Sequence, residues 1–395
     1  MTPMRSLFAV SLTALVALTV GAAPAQARRA AAIDVPSDAV LTVTGHGFGH
    51  GHGMSQYGAE GAARQGLTAQ QIVAFYYPGT DAGTRGGRIS VGLSGTGRRD
   101  LVVRPRSGLR VRDVATGETT ELPADGVSRY RVRVRDDGAR VARLPAGAPA
   151  KGGWEPVVDL AGSGELDARN RPVSMVTPSG DRAYRGRLRL VATGSAPVVV
   201  NRLRLEDYLR GVVPREMPAS WSPAAVQAQA IAARTYAAYE RAHPVSPDYQ
   251  VCDTTSCQVY GGVGSENPLS DDAVAATARQ VVLADGAAAF TQFGSSSGGY
   301  TSAGSVPYLV AQADPYDGWS GNGYHDWTRQ VTDDRIESQW PALGDLERIV
   351  VLDTEGGRRV RSLRLVGSDA TVTLTGDAAR SGLGLPSTWF RFSVR

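Results

Sequence analysis

The chain has 395 residues, a length that accommodates two ordinary domains or one elaborated domain. Its composition, 42% hydrophobic, 20% charged and 7% aromatic, is typical of a folded globular protein and argues against a disordered chain. The net charge of +4 comes without a dense basic run, which argues against nucleic-acid binding but allows weak attraction to an anionic surface such as a cell wall.

The first 27 residues have the pattern of a secretory leader. Arg5 precedes an apolar run over residues 7–23, and Ala25-Gln26-Ala27 follows as a small-x-small cleavage site. The run is short for a bilayer, so a signal peptide at residues 1–27 is favoured over a retained anchor. We therefore expect an exported, cell-wall-associated protein with no stable membrane span, and a loose linker over residues 28–40.

Residues 41–84 predict one strand and two short helices. Residues 41–44 alternate like a strand, and Ser55 and Gly66 bracket the first helix as its N-cap and its C-terminal glycine. Thr68 begins a capping-box pattern before a second helix that ends near Phe75.

A glycine-rich segment between this strand and the first helix holds three of the five histidines of the chain. On a strand, His46, His50 and His52 would point to one side because their offsets are even. That arrangement would suit a metal site. The alternating glycines also allow a cradle for a ligand or a packed turn.

Short β-rich runs bounded by Gly, Asp and Pro fill residues 85–185, and they predict a β-domain without evident chemistry. The strongest helix follows in residues 186–395. Ser222 is its N-cap, Pro223 is its first residue, and it runs to about Arg241 with an alanine-rich, buried face. Residues 345–395 return to β structure. The predicted fold class is α+β.

Glu216 is the first candidate catalytic residue. It is expected in a short apolar loop between Pro214 and Pro218, where burial near Trp221 would raise its pKa toward that of a general acid. Its alternative role is structural, as a helix cap or as the partner of an arginine such as Arg215.

Residues 294–298 match the serine-nucleophile pattern G-x-S-x-G, with Ser296 at its centre. Asp314 or Asp317 and then His325 follow in the order of a hydrolase. Because no helix can begin after Ser296, a hydroxyl-rich loop that binds sugar is the preferred interpretation.

Cys252 and Cys257 are the only cysteines of the chain. In an exported protein their spacing favours a disulfide. Zinc ligation and free thiols remain alternatives.

Five segments together resemble the SpoIID/LytB family. They are residues 208–218 (YLRGVVPREMP), 227–236 (QAQAIAARTY), 257–262 (CQVYGG), 296–301 (SSGGYT) and 383–390 (LGLPSTWF). The resemblance implies a core of mixed β-sheet with a long alanine-rich helix, into which residues 85–185 are inserted.

The resemblance also implies an activity, which is cleavage of peptidoglycan glycan strands between MurNAc and GlcNAc by a lytic transglycosylase. Glu216 would serve as the acid and then as the base. The alternative is a non-catalytic protein that binds the wall and enhances an amidase. No cofactor is expected.

The substrate-binding residues implied by the resemblance come from three parts of the chain. The long helix would line the groove, a hydroxyl-rich loop would bind sugar, and the glycine-rich segment would close the cleft. These residues are Gln229, Arg234 and Tyr236; Ser296, Ser297 and Tyr300; and His50, Gln56 and Tyr57.

Two features depart from the family pattern. The segment at residues 45–59 (GHGFGHGHGMSQYGA) comes last in the family but first here, which indicates a circular permutation. We therefore predict that the strand at residues 42–44 adjoins the strand at residues 390–394. Ser256 replaces a histidine that accompanies zinc in some members, which favours the disulfide over zinc.

Overall fold

The computed structural model describes residues 31–96, 100–192 and 197–394. The predicted leader at residues 1–27 lies outside this part of the chain. Among the described residues, no helix has both the length and the apolar character needed to cross a bilayer. The fold is α+β, as predicted, with more strand than helix.

Seven α-helices occur in the described residues. In chain order they are α1 (Gln56–Arg64), α2 (Ala69–Tyr76), α3 (Leu205–Glu216), α4 (Pro223–Glu240), α5 (Pro268–Ala276), α6 (Asp333–Gln339) and α7 (Gly376–Leu383). Two short 3₁₀ turns lie at Val263–Ser265 and Pro341–Leu343.

The strands form several sheets, most of them antiparallel. In chain order they are β1 (Ala31–Asp34), β2 (Val40–His46), β3 (Met54–Ser55), β4 (Asp81–Thr84), β5 (Arg88–Leu93), β6 (Asp100–Val103), β7 (Arg110–Asp113), β8 (Thr119–Glu121), β9 (Val127–Arg135), β10 (Gly138–Pro145), β11 (Glu155–Leu160), β12 (Gly164–Asp167), β13 (Val173–Thr177), β14 (Gly180–Tyr184), β15 (Arg187–Val191), β16 (Val198–Arg204), β17 (Val251–Cys252), β18 (Gln280–Ala284), β19 (Ala287–Ala288), β20 (Phe293–Gly294), β21 (Asp326–Thr332), β22 (Leu346–Glu355), β23 (Arg359–Gly367), β24 (Thr371–Thr375) and β25 (Phe390–Val394).

The predicted helix caps are confirmed where a local signal specified them. The Ser55 hydroxyl accepts from the backbone N–H of Gly58 at the start of α1, and Gly66 follows the helix with φ +89°. Thr68 and Gln71 form the predicted capping box of α2. Pro223 is the first residue of α4, where its missing N–H costs no helical hydrogen bond.

Helix α3 was not predicted. The segment around Pro214 was expected to be a loop, yet the helix runs from Leu205 to Glu216 with this proline inside its last turn. Proline removes one helical hydrogen bond there, and the apolar face of α3 nevertheless holds it in the core. Glu216 is therefore the last residue of a helix.

The β-rich region shares a sheet and a core with the rest of the chain. A seven-stranded sheet has the order β17-β5-β16-β15-β12-β7-β8, and a six-stranded sheet has the order β11-β10-β9-β6-β13-β14. The predicted boundary between residues 185 and 186 divides the seven-stranded sheet, because β7, β8 and β12 precede it and β15 and β16 follow it. Leu166 and Leu188 nonetheless belong to the same hydrophobic core as Leu209 of α3. Residues 100–184 thus pack as part of one continuous body.

A second, smaller core joins the two ends of the described chain. Strand β2 lies between β21 and β25, with Leu41 opposite Val394 and Gly45 opposite Phe390. The predicted adjacency of these strands is confirmed.

Part of the expected linker differs from the prediction, because Ala31–Asp34 forms the edge strand β1 against β22. Its backbone hydrogen bonds to β22 fix this segment in place.

Candidate functional site

Glu216 is a half-buried carboxylate at the C-terminal end of α3. Its Oε1 accepts a hydrogen bond from the backbone N–H of Val259 at 2.8 Å. Burial raises the pKa of the Glu216 carboxyl above its ordinary value, although the Val259 N–H and the charge of Arg215 act in the opposite direction. Arg215 itself is exposed, and within the described residues no guanidinium forms an ion pair with Glu216.

The loop that carries Val259 is closed by the Cys252–Cys257 disulfide, with the two Cα atoms 5.5 Å apart. The predicted pairing is therefore confirmed, and these cysteines offer no thiolate to a metal. Gln258, which is buried, accepts from the hydroxyl of Tyr208 on α3 at 3.1 Å. The disulfide and Gln258 together hold the Val259 N–H in place beside Glu216.

The three residues predicted on the long helix do not form a common groove. Arg234 is completely buried and makes a two-pronged ion pair with Glu206 at 3.0 and 2.8 Å. This guanidinium is therefore a structural clamp, because none of its atoms reaches solvent. Gln229 is also buried and accepts from Gln56 of α1 at 3.4 Å, whereas Tyr236 is half-buried beside Glu240.

The predicted sugar-binding serines are buried as well. Ser296 hydrogen-bonds to Asp317 at 2.9 Å, and Ser297 donates to Asp314 at 2.8 Å. Both side chains are almost fully inaccessible in the structure, and their hydroxyls are engaged by carboxylates of the same chain. Their carboxylate partners lie about twenty residues further along the chain, at a contact that the sequence pattern does not specify.

The serine-hydrolase arrangement is also not formed. His325 Nδ1 contacts Asp317 Oδ2 at 2.9 Å, which is half of such a triad. Ser296, however, donates directly to the same Asp317, which leaves no imidazole to accept its proton.

The histidines of the glycine-rich segment do not converge on one side. Gly47, Gly49, Gly51 and Gly53 all have positive φ, so the segment coils instead of extending. His46 Nδ1 pairs with Asp326 at 2.7 Å, whereas the rings of His50 and His52 stack on each other at 5.0 Å. The structure therefore favours the packed turn over a three-histidine metal site.

Tyr300 is partly exposed. Its ring lies 3.6 Å below the guanidinium of Arg358, and it lines a small cavity of about 170 Å³ together with Trp389. Of the residues predicted to bind sugar, Tyr57, Tyr236, Tyr300 and His50 are at least partly accessible.

Sequence reasoning missed an aromatic surface around Tyr57. Its ring is 4.9 Å from Trp221, 6.1 Å from Trp319 and 6.0 Å from Tyr324, measured between ring centroids. Phe48 extends the row, 4.8 Å from Tyr324. We call these five side chains the aromatic surface. They come from three separate segments, so no local pattern joins them.

Trp221 of the aromatic surface follows Glu216 by five residues. The N–H of Trp221 donates to the carbonyl of Pro218 at 3.0 Å and closes a turn. Such a turn keeps its first and fourth Cα atoms within about 7 Å, and the two residues from Glu216 to Pro218 add at most about 7 Å. The Cα atoms of Glu216 and Trp221 therefore lie within about 14 Å of each other.

Glu60 fixes α1 to the start of α4. Both oxygens of this buried carboxylate engage Ser222, accepting from its N–H at 2.8 Å and from its hydroxyl at 3.1 Å. Ser222 is the N-cap residue of α4, as predicted, but its hydroxyl donates to Glu60 and makes no capping hydrogen bond to the helix. The same contact places Tyr57 of α1 beside Trp221.

The larger cavities lie away from Glu216. One of about 830 Å³ opens in the β-rich region between Arg131, Arg140 and Trp154. Another of about 430 Å³ lies beside His46 and Trp389. Glu216 lines neither of them.

Residues 194–283 match the family model of SpoIID, described as stage II sporulation protein. This range contains Glu216, α4 and the disulfide loop. The chain is 39% identical to an amidase enhancer of Bacillus subtilis (strain 168) over 137 residues, which are 33% of this chain and 18% of that protein. It is 33% identical to stage II sporulation protein D of the same organism over 139 residues, 30% of this chain and 40% of that protein. It also resembles an uncharacterized protein of Brachyspira hyodysenteriae, with 36% identity over 133 residues, 32% of this chain and 36% of the other. The chain thus spans less than half the length of each of these relatives.

Proposed function

Because residues 194–283 match the SpoIID family model and the chain is similar to a stage II sporulation protein D, we propose that it is an exported lytic transglycosylase that cleaves peptidoglycan glycan strands between MurNAc and GlcNAc. The observation that carries this proposal is the environment of Glu216. The carboxyl is half-buried, its pKa is raised, and a single backbone N–H orients it. A carboxyl clamped by an arginine would lack the proton that the reaction requires.

In the proposed reaction, protonated Glu216 donates its proton to the glycosidic oxygen as the bond from that oxygen to C1 of MurNAc breaks. The C6 hydroxyl of the same MurNAc then attacks C1, and the Glu216 carboxylate takes up the proton of this hydroxyl. The products are a free GlcNAc hydroxyl and a 1,6-anhydro end. No water is consumed, so a second carboxylate to activate water is unnecessary.

The two contacts of Glu216 suit its two roles. Burial favours the neutral acid that begins the reaction, because desolvation disfavours the charged form. The Val259 N–H stabilises the carboxylate that remains after proton donation. Oε2, which has no hydrogen-bond partner in the part of the chain that the structure describes, is the atom we assign to proton transfer, since Oε1 accepts from Val259.

We expect Glu216→Gln to lower the rate of anhydro-muropeptide release from purified sacculi by about 10²- to 10⁴-fold, since the amide keeps the shape but carries no transferable proton. Mass spectrometry of the soluble products measures this release. Glu347→Gln, the same change at an exposed position, is the matched control and should leave the rate unchanged. Undiminished release by Glu216→Gln would remove this residue from the mechanism.

A second candidate is a protein that binds wall glycan and enhances a cell-wall amidase. It is favoured by the 39% identity to a protein named amidase enhancer. Under this alternative the purified protein would sediment with sacculi without releasing products. Glu216→Gln would then stimulate an added amidase as well as the unaltered protein does.

A further inference from the structure

We propose that the aromatic surface is a platform on which the sugar rings of a glycan strand stack as the strand approaches Glu216. The inference rests on the proposed function, because the platform would hold the glycan strand that the proposed reaction cleaves. It concerns Phe48, Trp221, Trp319 and Tyr324 as well as Tyr57.

The rings form a stepped row. Tyr57 is central, and the neighbouring planes of Trp221, Trp319 and Tyr324 are tilted from it by 59°, 39° and 67°. An aromatic face carries partial negative charge, which attracts the slightly positive C–H groups on the face of a pyranose. Tilted faces in a row suit a chain whose successive sugar rings turn relative to each other.

The surface is held rigid before any ligand arrives. The indole N–H of Trp319 donates to the backbone carbonyl of Tyr57 at 2.9 Å, and the guanidinium of Arg64 covers the Trp319 ring at 4.2 Å. Arg64 is in turn held by Glu60 at 2.8 Å. Rigid aromatic side chains lose little conformational entropy on binding, so their contact area contributes efficiently to affinity.

The far end of the row is the most exposed. Phe48 and Tyr324 retain 39% and 36% of their accessible area, which is unusual for large apolar side chains that already contact each other. Their exposure leaves an apolar strip available to a ligand, next to polar groups that can hydrogen-bond its rim.

His325 supplies a polar group at this end. It follows Tyr324 in the chain, and its ring packs against Gly318, the residue before Trp319. Asp317, which is fully buried, fixes Nδ1 at 2.9 Å. Within the described residues Nε2 has no hydrogen-bond partner, and the side chain is 31% exposed. A ring nitrogen held beside aromatic faces suits the hydroxyl, amide or carboxylate groups of an amino sugar.

A carbohydrate explains these features together better than a protein partner does. The Cα atom of Trp221, one member of the row, lies within about 14 Å of the Cα atom of Glu216. It mixes stacking faces with an oriented polar side chain, His325. A sugar chain requires both kinds of contact along its length.

The test uses the Glu216→Gln protein as its host, so that the strand is bound without being cut. Peptide-free glycan strands prepared from sacculi are titrated into this host and into the same host carrying Phe48→Ala and Tyr324→Ala. Isothermal titration calorimetry gives the Kd. Quenching of tryptophan fluorescence reports contact with Trp221 and Trp319, which both proteins retain.

We expect the double change to raise the Kd at least 10-fold and to reduce the quenching. Tyr324→Phe, which keeps the ring, should bind as the host does, and this separates a lost stacking face from damaged folding. Trp154→Ala removes a partly exposed aromatic residue in the β-rich region and is the matched control, with an unchanged Kd.

An unchanged Kd in the double variant would overturn the platform, whatever the catalytic role of Glu216. The platform would also be overturned if the double variant bound glycan normally but no longer stimulated an amidase. That result would indicate that the aromatic surface binds a protein instead of glycan. Conversely, release of products by the Glu216→Gln protein would contradict the catalytic role of Glu216. A raised Kd in the double variant would support the platform in that case too.

Discussion

Two buried carboxylates near the aromatic surface, Asp314 and Asp317, have pKa values that are shifted in opposite directions. Burial and the nearby charge of Asp317 raise the pKa of Asp314 to about 6. Burial acts in the same sense on Asp317, but hydrogen bonds from His325, Ser55 and Ser296 outweigh it and lower the pKa of this carboxyl. Asp317 therefore stays ionised at the centre of the cluster, whereas Asp314 gains a proton under mildly acidic conditions.

This difference predicts a pH dependence of stability. Folded Asp314 keeps its proton up to about pH 6, whereas in the unfolded chain it loses the proton near pH 4. The folded state therefore binds more protons between these values, and the free energy of unfolding falls as pH rises through them. Because asparagine does not titrate, Asp314→Asn should lack this contribution, which is about 3 kcal/mol.

Urea unfolding at intervals from pH 4 to pH 7 gives the free energy of unfolding of Asp314→Asn and of the unaltered protein. The effect is the change with pH in the difference between these two free energies. The exposed Asp125→Asn is the matched control and should keep the pH dependence of the unaltered protein, because it retains Asp314. A difference between Asp314→Asn and the unaltered protein that stayed constant over the window would contradict the assigned titration.

At the scale of elements, the Arg234–Glu206 pair connects four pieces of the fold. Arg234 on α4 reaches Glu206 on α3, and its remaining N–H groups donate to the carbonyls of Val274 on α5 and Gln280 on β18. The clamp holds α3 against α4, and so fixes the helix whose last residue is Glu216.

Replacing Arg234 by methionine should lower the free energy of unfolding by about 3 kcal/mol, because it leaves Glu206 and several buried carbonyls without their donor. Chemical denaturation measures this loss. Arg348→Met is the control, since that arginine forms an exposed pair with Asp34 whose loss costs below about 1 kcal/mol.

The same variant distinguishes the two roles considered for Arg234. If the residue were a groove residue, Arg234→Met would weaken glycan binding while stability stayed unchanged. The structural clamp predicts the reverse, with an unchanged Kd for the protein that remains folded at low temperature.

At the scale of the whole molecule, β25 and β2 have the geometry of a hairpin without its turn. Leu41 lies opposite Val394, so the end of one strand meets the beginning of the other. This is the arrangement expected if the segment at residues 45–59 once followed the C-terminal strand. The circular permutation itself stays a prediction.

A rearranged chain tests it. The new order runs from Gly86 to Val394, continues through an Asn-Gly turn, and then runs from Leu41 to Arg85, so that the turn joins the paired residues Val394 and Leu41. We expect it to fold with the secondary structure of the original order, because Asn-Gly favours the turn of a two-residue hairpin. Circular dichroism and denaturant unfolding provide the measurement. The control is residues 41–394 in the native order, and failure of the rearranged chain alone to fold would contradict the permutation.

The sequence by itself determined what contiguous residues specify. Capping residues placed α1 and α2, Pro223 placed the start of α4, and a spacing of five residues placed the Cys252–Cys257 disulfide. These signals act between residues a few positions apart, so a single segment contains all of the information. The resemblance to a family added the pairing of two strands at opposite ends of the chain.

Only the tertiary structure decided which polar residues are accessible. Arg234 and Ser296 have the residue types of a binding site, yet each is buried against a carboxylate that the local sequence does not identify. The aromatic surface is the opposite case, because it is accessible but was not predicted from the sequence. Phe48, Trp221 and Trp319 belong to one surface only because three separate segments meet in the fold. Burial and contact between distant residues depend on how the elements pack, and no local pattern encodes that packing.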